Sequence, residues 1–152
     1  MTDSFRAAAG RKVISRASAQ DLGAVGHLLV DAQQRRVSAV IIGRGKKARL
    51  VDWSALSGFG PDAVMVTDEA ALRPAADERE GAAADGKLEI VGRRALTETG
   101  TELGTVADVM FDPQSGALES LRVGDRDIPA GALLGAGSYA AVLDASQETP
   151  TS

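Results

Sequence analysis

Few residues in this chain have side chains able to do chemistry. His27 is the only histidine and cysteine is absent, which removes thiol nucleophiles, disulfides and thiolate metal ligands. A lone imidazole titrates near neutral pH and can serve as a base. No nucleophile or second ligand accompanies His27 in sequence, so it reads as a polar residue on the less buried face of a strand. Gly43-Arg44-Gly45-Lys46-Lys47 has the composition of a phosphate-binding loop. The spacing such loops need, Gly-x-x-x-x-Gly-Lys-Ser/Thr between a strand and a helix, is missing, and the segment falls in a hairpin. No carboxylates stand at the spacing of a metal loop. The sequence therefore predicts no catalytic residue, no metal, no cofactor and no enzyme. What remains is charge: Arg44, Lys46, Lys47 and Arg49, joined by Arg35 and Arg36, suit an anionic partner such as nucleic acid or a membrane surface. They equally suit an edge hairpin kept soluble by its charge, or one that meets an acidic part of the same chain.

These residues belong to one copy of a repeated unit. Residues 21–43, DLGAVGHLLVDAQQRRVSAVIIG, recur without a gap as residues 102–124, ELGTVADVMFDPQSGALESLRVG, so the chain is two copies of one structural unit. Leu22, Gly23, Val25, Asp31, Gln33 and Gly43 meet Leu103, Gly104, Val106, Asp112, Gln114 and Gly124. Each copy predicts a short strand (12–15 in the first) and then a long one. Gly23 and Gly26 lie in that long strand, where it bends or another backbone comes close. A tight turn follows, for which Asp112-Pro113-Gln114-Ser115-Gly116 has the chemistry. A β-branched strand comes next, in which Val40 and Ile42 match Leu121 and Val123 on the core face. On its other face Ile41 is replaced by Arg122. That surface is expected to be covered in the first copy and wet in the second, which makes it a lobe or subunit interface. After the hairpin come a strand end and one helical turn at 51–58, with Asp52 as its cap, matched at 128–135. Closing strands lie at 64–66 and 141–143. The first copy's hairpin is longer, so the basic tip exists there only.

Composition frames this organisation. The 152 residues, 44% hydrophobic and 25% charged, are ordinary for a soluble globular protein. The expected divisions are a first lobe at 10–72, a linker at 73–87, a second lobe at 88–145, and flexible tails at 1–9 and 146–152. The net charge of -4 hides an asymmetry: residues 1–72 carry ten Lys/Arg against seven Asp/Glu, and residues 88–152 four against ten. No apolar run is long enough to span a bilayer, and the first residues lack the apolar core of a signal peptide; the chain is expected in the cytoplasm. Aromatic residues make up 3%, which leaves little for base stacking. Trp53, the only tryptophan, is a candidate partner anchor or a cap on the core, and Tyr139 a second cap.

Leu22-Gly23-Ala24-Val25, Asp31 and Trp53-Ser54-Ala55-Leu56, with Leu103-Gly104-Thr105-Val106, Asp112, Pro129 and Ala132-Leu133, give each copy an order of elements that resembles the PRC-barrel family. Asp52 stands where the second copy has Pro129. The resemblance implies an all-β chain: two small PRC-type β-barrels, each with one short helical turn, packed as a pseudo-symmetric tandem that mimics a homodimer. It implies no catalytic residues. Known members use the barrel to hold or contact a larger assembly, so the expected function is a non-catalytic adaptor or regulatory module. Its partner would be a protein within a cytoplasmic or membrane-attached assembly, reached through Ile41, Arg44, Lys46, Lys47, Arg49 and Trp53. The alternative is an RNA-binding factor in ribosome or RNA maturation.

Overall fold

A computed structural model describes residues 2–148. The first segment forms β1 (Asp3–Ser4) and α1 (Phe5–Ala8). Lobe one follows as β2 (Lys12–Ser15), β3 (Asp21–Asp31), β4 (Arg36–Ile42), β5 (Arg49–Asp52), β6 (Leu56–Phe59) and β7 (Ala63–Val66). A single helix, α2 (Glu78–Ala84), lies between the lobes in sequence. Lobe two consists of β8 (Arg94–Thr97), β9 (Glu102–Phe111), β10 (Leu118–Val123), β11 (Arg126–Pro129), β12 (Leu133–Ala136) and β13 (Ala140–Leu143). One 3₁₀ turn follows β5 and β11 alike, at Trp53–Ala55 and Ala130–Ala132.

The two sheets share one strand order. Lobe one runs β5-β4-β3-β2-β7-β6 and lobe two β11-β10-β9-β8-β13-β12, with β1 added on β9. In each, the first strand pairs antiparallel with the long strand and parallel with the last, β2 with β7 and β8 with β13. The long strand serves two ladders in turn. The first part of β3 pairs with β2 (Lys12↔Ala24) and the rest with β4, from Val25↔Ile42 onward. At the changeover a Cβ on Gly26 would stand 2.5 Å from the Gly43 carbonyl oxygen, a close approach that only a hydrogen fits.

The expected closed barrels do not form. The strands at the two ends of each path, β5 with β6 and β11 with β12, share no ladder. The chain passes from β5 through the Trp53–Ala55 turn straight into β6, which carries it between the ends of the path without pairing them. Side chains of both lobes instead meet in one apolar core, which includes Val13, Val40 and Val64 from lobe one and Val106, Leu121 and Leu143 from lobe two. Phe111, fully buried, packs edge-on against Phe5, Trp53 and Phe59, with ring centroids 5.4, 6.2 and 5.3 Å away. Four of the five aromatic residues thus form one cluster where the lobes join.

The lobes also exchange backbone hydrogen bonds around an Arg36↔Ala117 bridge. Val37 N–H donates to Gly116 O (2.8 Å) and Leu118 N–H to Arg35 O (2.9 Å). The Arg35 Nε donates to Leu133 O at 3.0 Å, and Arg36 to Ser115 O at 3.1 Å, so neither belongs to a free basic patch. One ion pair crosses between the lobes among the described residues, Arg44 with Glu89 at 3.1 Å. The junction is held by apolar packing and backbone pairing, not by the opposite net charges of the lobes.

Three segments read as loose in the sequence carry structure. Residues 1–9 were expected as a tail, yet Asp3↔Phe111 and Ser4↔Met110 pair β1 with β9, Ser4 caps α1 through the Ala7 N–H, and Phe5 and Ala8 enter the core. Asp3 is held by Arg11 at 2.7 Å. The expected tail 146–152 lies partly outside the described residues; the turn Ala145–Glu148 is seen, and its Glu148 carboxylate accepts hydrogen bonds from the hydroxyls of Thr99 and Thr101. Residues 73–87, expected as a plain linker, form a strap. Arg73 exchanges backbone hydrogen bonds with Leu50 at the edge of β5 (2.7 and 2.9 Å). Asp77 then caps α2 through the Glu80 N–H, and Ala83 and Ala84 bury against the outer face of the lobe-one sheet.

Candidate interaction surface

The basic tip is built by a short excursion between β4 and β5. A single 3₁₀ turn, Gly45–Lys47, is closed by the Ala48 N–H donating to Gly45 O. Ala48 is buried under the strap, which fixes the base of the loop and leaves Arg44, Lys46, Lys47 and Arg49 exposed. Their partners differ. Arg44 reaches Glu89 just beyond the strap, and Arg49 folds back to donate to the Lys47 and Ala48 carbonyls (3.4 and 3.2 Å). Lys46 and Lys47 have no ion-pair partner among the described residues. A groove of about 350 Å³ separates the tip from the strap, lined by Lys46, Ala48, Pro74, Gly81 and Asp85. Lobe two has no such tip: only Gly124 and Asp125 join β10 to β11.

Ile41 and Trp53 do not join this surface. Ile41 is fully buried, with Leu29, Ala39 and Leu50, beneath Ala83 and Ala84 of α2. The sequence contrast with Arg122 did mark a covered face, but the cover is the chain's own strap and not another lobe or subunit. In lobe two the same register carries Met110, Ser120, Arg122 and Asp127; there Arg122 pairs with Asp127 at 3.2 Å and stays half exposed. Trp53 stacks on Phe59 (5.4 Å) and lies flat against Gly116 of lobe two, where an added Cβ would come within 2.9 Å of its ring. It is a joint between the lobes, partly buried against the shared core. Tyr139, unlike Trp53, caps no core: it is 66% exposed, with the Arg94 guanidinium 5.1 Å from its ring. Asp52 makes no capping bond to the turn it precedes. Its carboxylate accepts from Arg73 at 2.8 Å.

Arg73 anchors the strap. Beyond its backbone bridge, its guanidinium forks between Asp52 and Glu80, the latter at 2.6 and 2.7 Å. The Arg73 hydrogen bonds hold the Glu80 carboxyl down at about 2, and both carboxylates raise Arg73 in turn. Nothing in the sequence pattern marked this triad, because its members lie in a charged stretch without periodicity.

His27 also sits elsewhere than predicted. It shares the outer face of β3 with Leu29 and is only 5% exposed. Both ring nitrogens are buried without a hydrogen-bond partner. Burial pushes its pKa below the ordinary value; Glu89 opposes that shift, Arg44 adds to it, and the nearby Ala83 backbone opposes it. A cavity of about 340 Å³ opens beside it, between α1, β3 and residues 89–91. Among the described residues no three His, Cys, Asp or Glu side chains converge as metal ligands, and no helix is long and apolar enough to cross a membrane.

Residues 88–134 match the PRC-barrel domain. The match takes in β8 to β11, the 3₁₀ turn after them and the start of β12; β13, which pairs with β8 in the middle of the sheet, lies beyond it. No curated protein matches the chain.

Proposed function

We infer that the chain is a non-catalytic adaptor made of two PRC-type lobes, and that it docks on a protein of a larger assembly through the basic tip of lobe one. The observation that carries this reading is the tip itself, where Lys46 and Lys47 stand exposed and unpaired among the described residues on a loop that lobe two lacks. The tandem arrangement is supported by the shared strand order and by the lobe junction. The donors Val37 and Leu118, and the acceptors Arg35 and Gly116, each lie 81 positions apart. The two hydrogen bonds are therefore counterparts of each other, as across the two-fold axis of a homodimer. Gly23 and Gly104, also counterparts, share φ values of +128° and +134°.

An RNA partner fits less well. Four of the five aromatic rings are spent on the junction, and a single exposed Tyr139 on the other lobe gives no stacking platform.

The test is capture from native lysate with the full chain and with Lys46→Glu/Lys47→Glu. Exposed substitutions of this kind shift stability by no more than about 0.5 kcal/mol, so a change in the captured set reports on docking. Proteins held by the native chain and lost from the variant support the adaptor. RNA recovered with a steep salt dependence supports the alternative, and an identical set from both chains refutes a role for the tip.

A further inference from the structure

The strap covers a face that is apolar in lobe one only, and the one buried side chain among the described residues without hydrogen-bond partners lies under its end. The other buried polar side chains are bonded: Ser15 Oγ accepts from the Ser18 N–H and Thr97 Oγ1 from the Thr101 N–H. His27 has no such partner. Its nitrogens expose almost no surface, so an occupant of the adjacent cavity would not reach them. The groups that face the ring are the Ala83 backbone at the C-terminal end of α2, the Glu89 carboxylate and the Arg44 guanidinium. The last two already pair with each other, and their charges offset. A proton added to His27 would gain only the Ala83 backbone and the partly offset charge of Glu89, and burial outweighs both, so a cation so placed is disfavoured.

The least costly relief is local. The ring's own strand is fixed there by its ladder with β4, His27 opposite Ile41. The helix above it has seven residues, a glycine within them, and only two small side chains buried; helices of that length do not stand alone in water. We propose that residues 73–87 are a proton-released cover: protonation of His27 lifts α2 from the sheet and lays bare the apolar face of Leu29, Ile41 and Leu50. The sign is fixed by burial. The folded-state pKa of His27 lies below its ordinary 6.5, so the closed strap is fully stabilised above that value and loses stability as pH falls past it. The Arg73–Glu80 anchor does not contribute in this range, since Glu80 stays ionised down to about 2. This device is independent of the docking role of the tip.

The test uses the full chain. Amide hydrogen exchange is followed by mass spectrometry from pH 7.5 to 5, corrected for intrinsic rates, beside NMR titration of the His27 ring, the only imidazole present. The expected result is exchange of residues 78–87 rising at least tenfold relative to β9 and β10, with a midpoint that coincides with the His27 titration below 6.5. In His27→Leu the strap is expected to stay protected at pH 5. Strap exchange that does not change, that rises in step with β9 and β10, or that has a midpoint apart from the ring titration overturns the proposal. So does an unchanged acid response in His27→Leu. If that variant does not fold, the coincidence of the two wild-type midpoints decides.

Discussion

Replacing Phe111 with alanine tests whether the two lobes are one cooperative body. The ring is fully buried and touches Phe5, Trp53 and Phe59, which come from the N-terminal segment and from the turn and strand that follow β5. Phe→Ala in a core costs about 3–5 kcal/mol, more where the site cannot collapse. Here collapse requires three separate segments to move, and the edge-on contacts are worth about 0.5–1.5 kcal/mol each beyond area. These contributions overlap, so the expected loss is about 4–5 kcal/mol. For a chain of this length each kcal/mol lowers Tm by about 2–4 °C, a fall of roughly 8–20 °C. The assay is urea and thermal unfolding, followed by circular dichroism and by the fluorescence of the single tryptophan. Both signals are expected to move together, because Trp53 belongs to lobe one and Phe111 to lobe two. A loss under about 1.5 kcal/mol, or a Trp53 transition that parts from the circular dichroism, refutes a shared core.

Gly116→Ala is expected to cost about 1–3 kcal/mol and to shift Trp53 emission. The new methyl would meet the indole at 2.9 Å, on a backbone with φ +80°; native-like emission with unchanged stability would count against the contact. Acid sensitivity should trace to Glu80. Its folded pKa of about 2 lies below the ordinary 4.5, so the Arg73 pairing stabilises fully above 4.5 and fades as pH falls toward 2. Urea unfolding at pH 6 and pH 3 should show Glu80→Gln weaker than the native chain by about 1–2 kcal/mol at the higher pH and by less than half as much at the lower. A difference that does not depend on pH would exclude the pairing as its cause.

Much of the strand pattern was legible because β-structure writes itself into alternation, and the second copy clarified the first. Asp112 and Gly116 identified a turn that Asp31 and Arg35 make with less obvious chemistry; Arg35 holds φ +54° where its counterpart is glycine. Ile41 against Arg122 even announced a covered face. What covered it was hidden, since a seven-residue helix that buries two alanines leaves no periodic mark. The N-terminal segment was missed for a similar reason: β1 is two residues long, and Phe5 is a lone large side chain between polar residues and an alanine run. Closure of the sheets depends on whether their end strands meet, which no residue pattern encodes. In the candidate surface, charge placed Arg44, Lys46, Lys47 and Arg49 outside, where the structure has them. Trp53 packs on the core, one of its two sequence readings, though the segment opposite it, Gly116, was not legible; His27 was misjudged because its burial depends on the end of α2.

The pairing of β1 with β9 also orders events in time. Synthesis from the N-terminal side releases Asp3, Ser4 and Phe5 before lobe one, and their partners Met110 and Phe111 only after the whole of lobe one and the strap have emerged. Until then β1 has no strand to pair with and the Phe5 ring lacks the partner that helps to bury it, so residues made ahead of lobe one are satisfied only after it. Such a long closure slows folding and leaves an unpaired edge on the nascent chain, the kind of surface that folding helpers and aggregation both recognise.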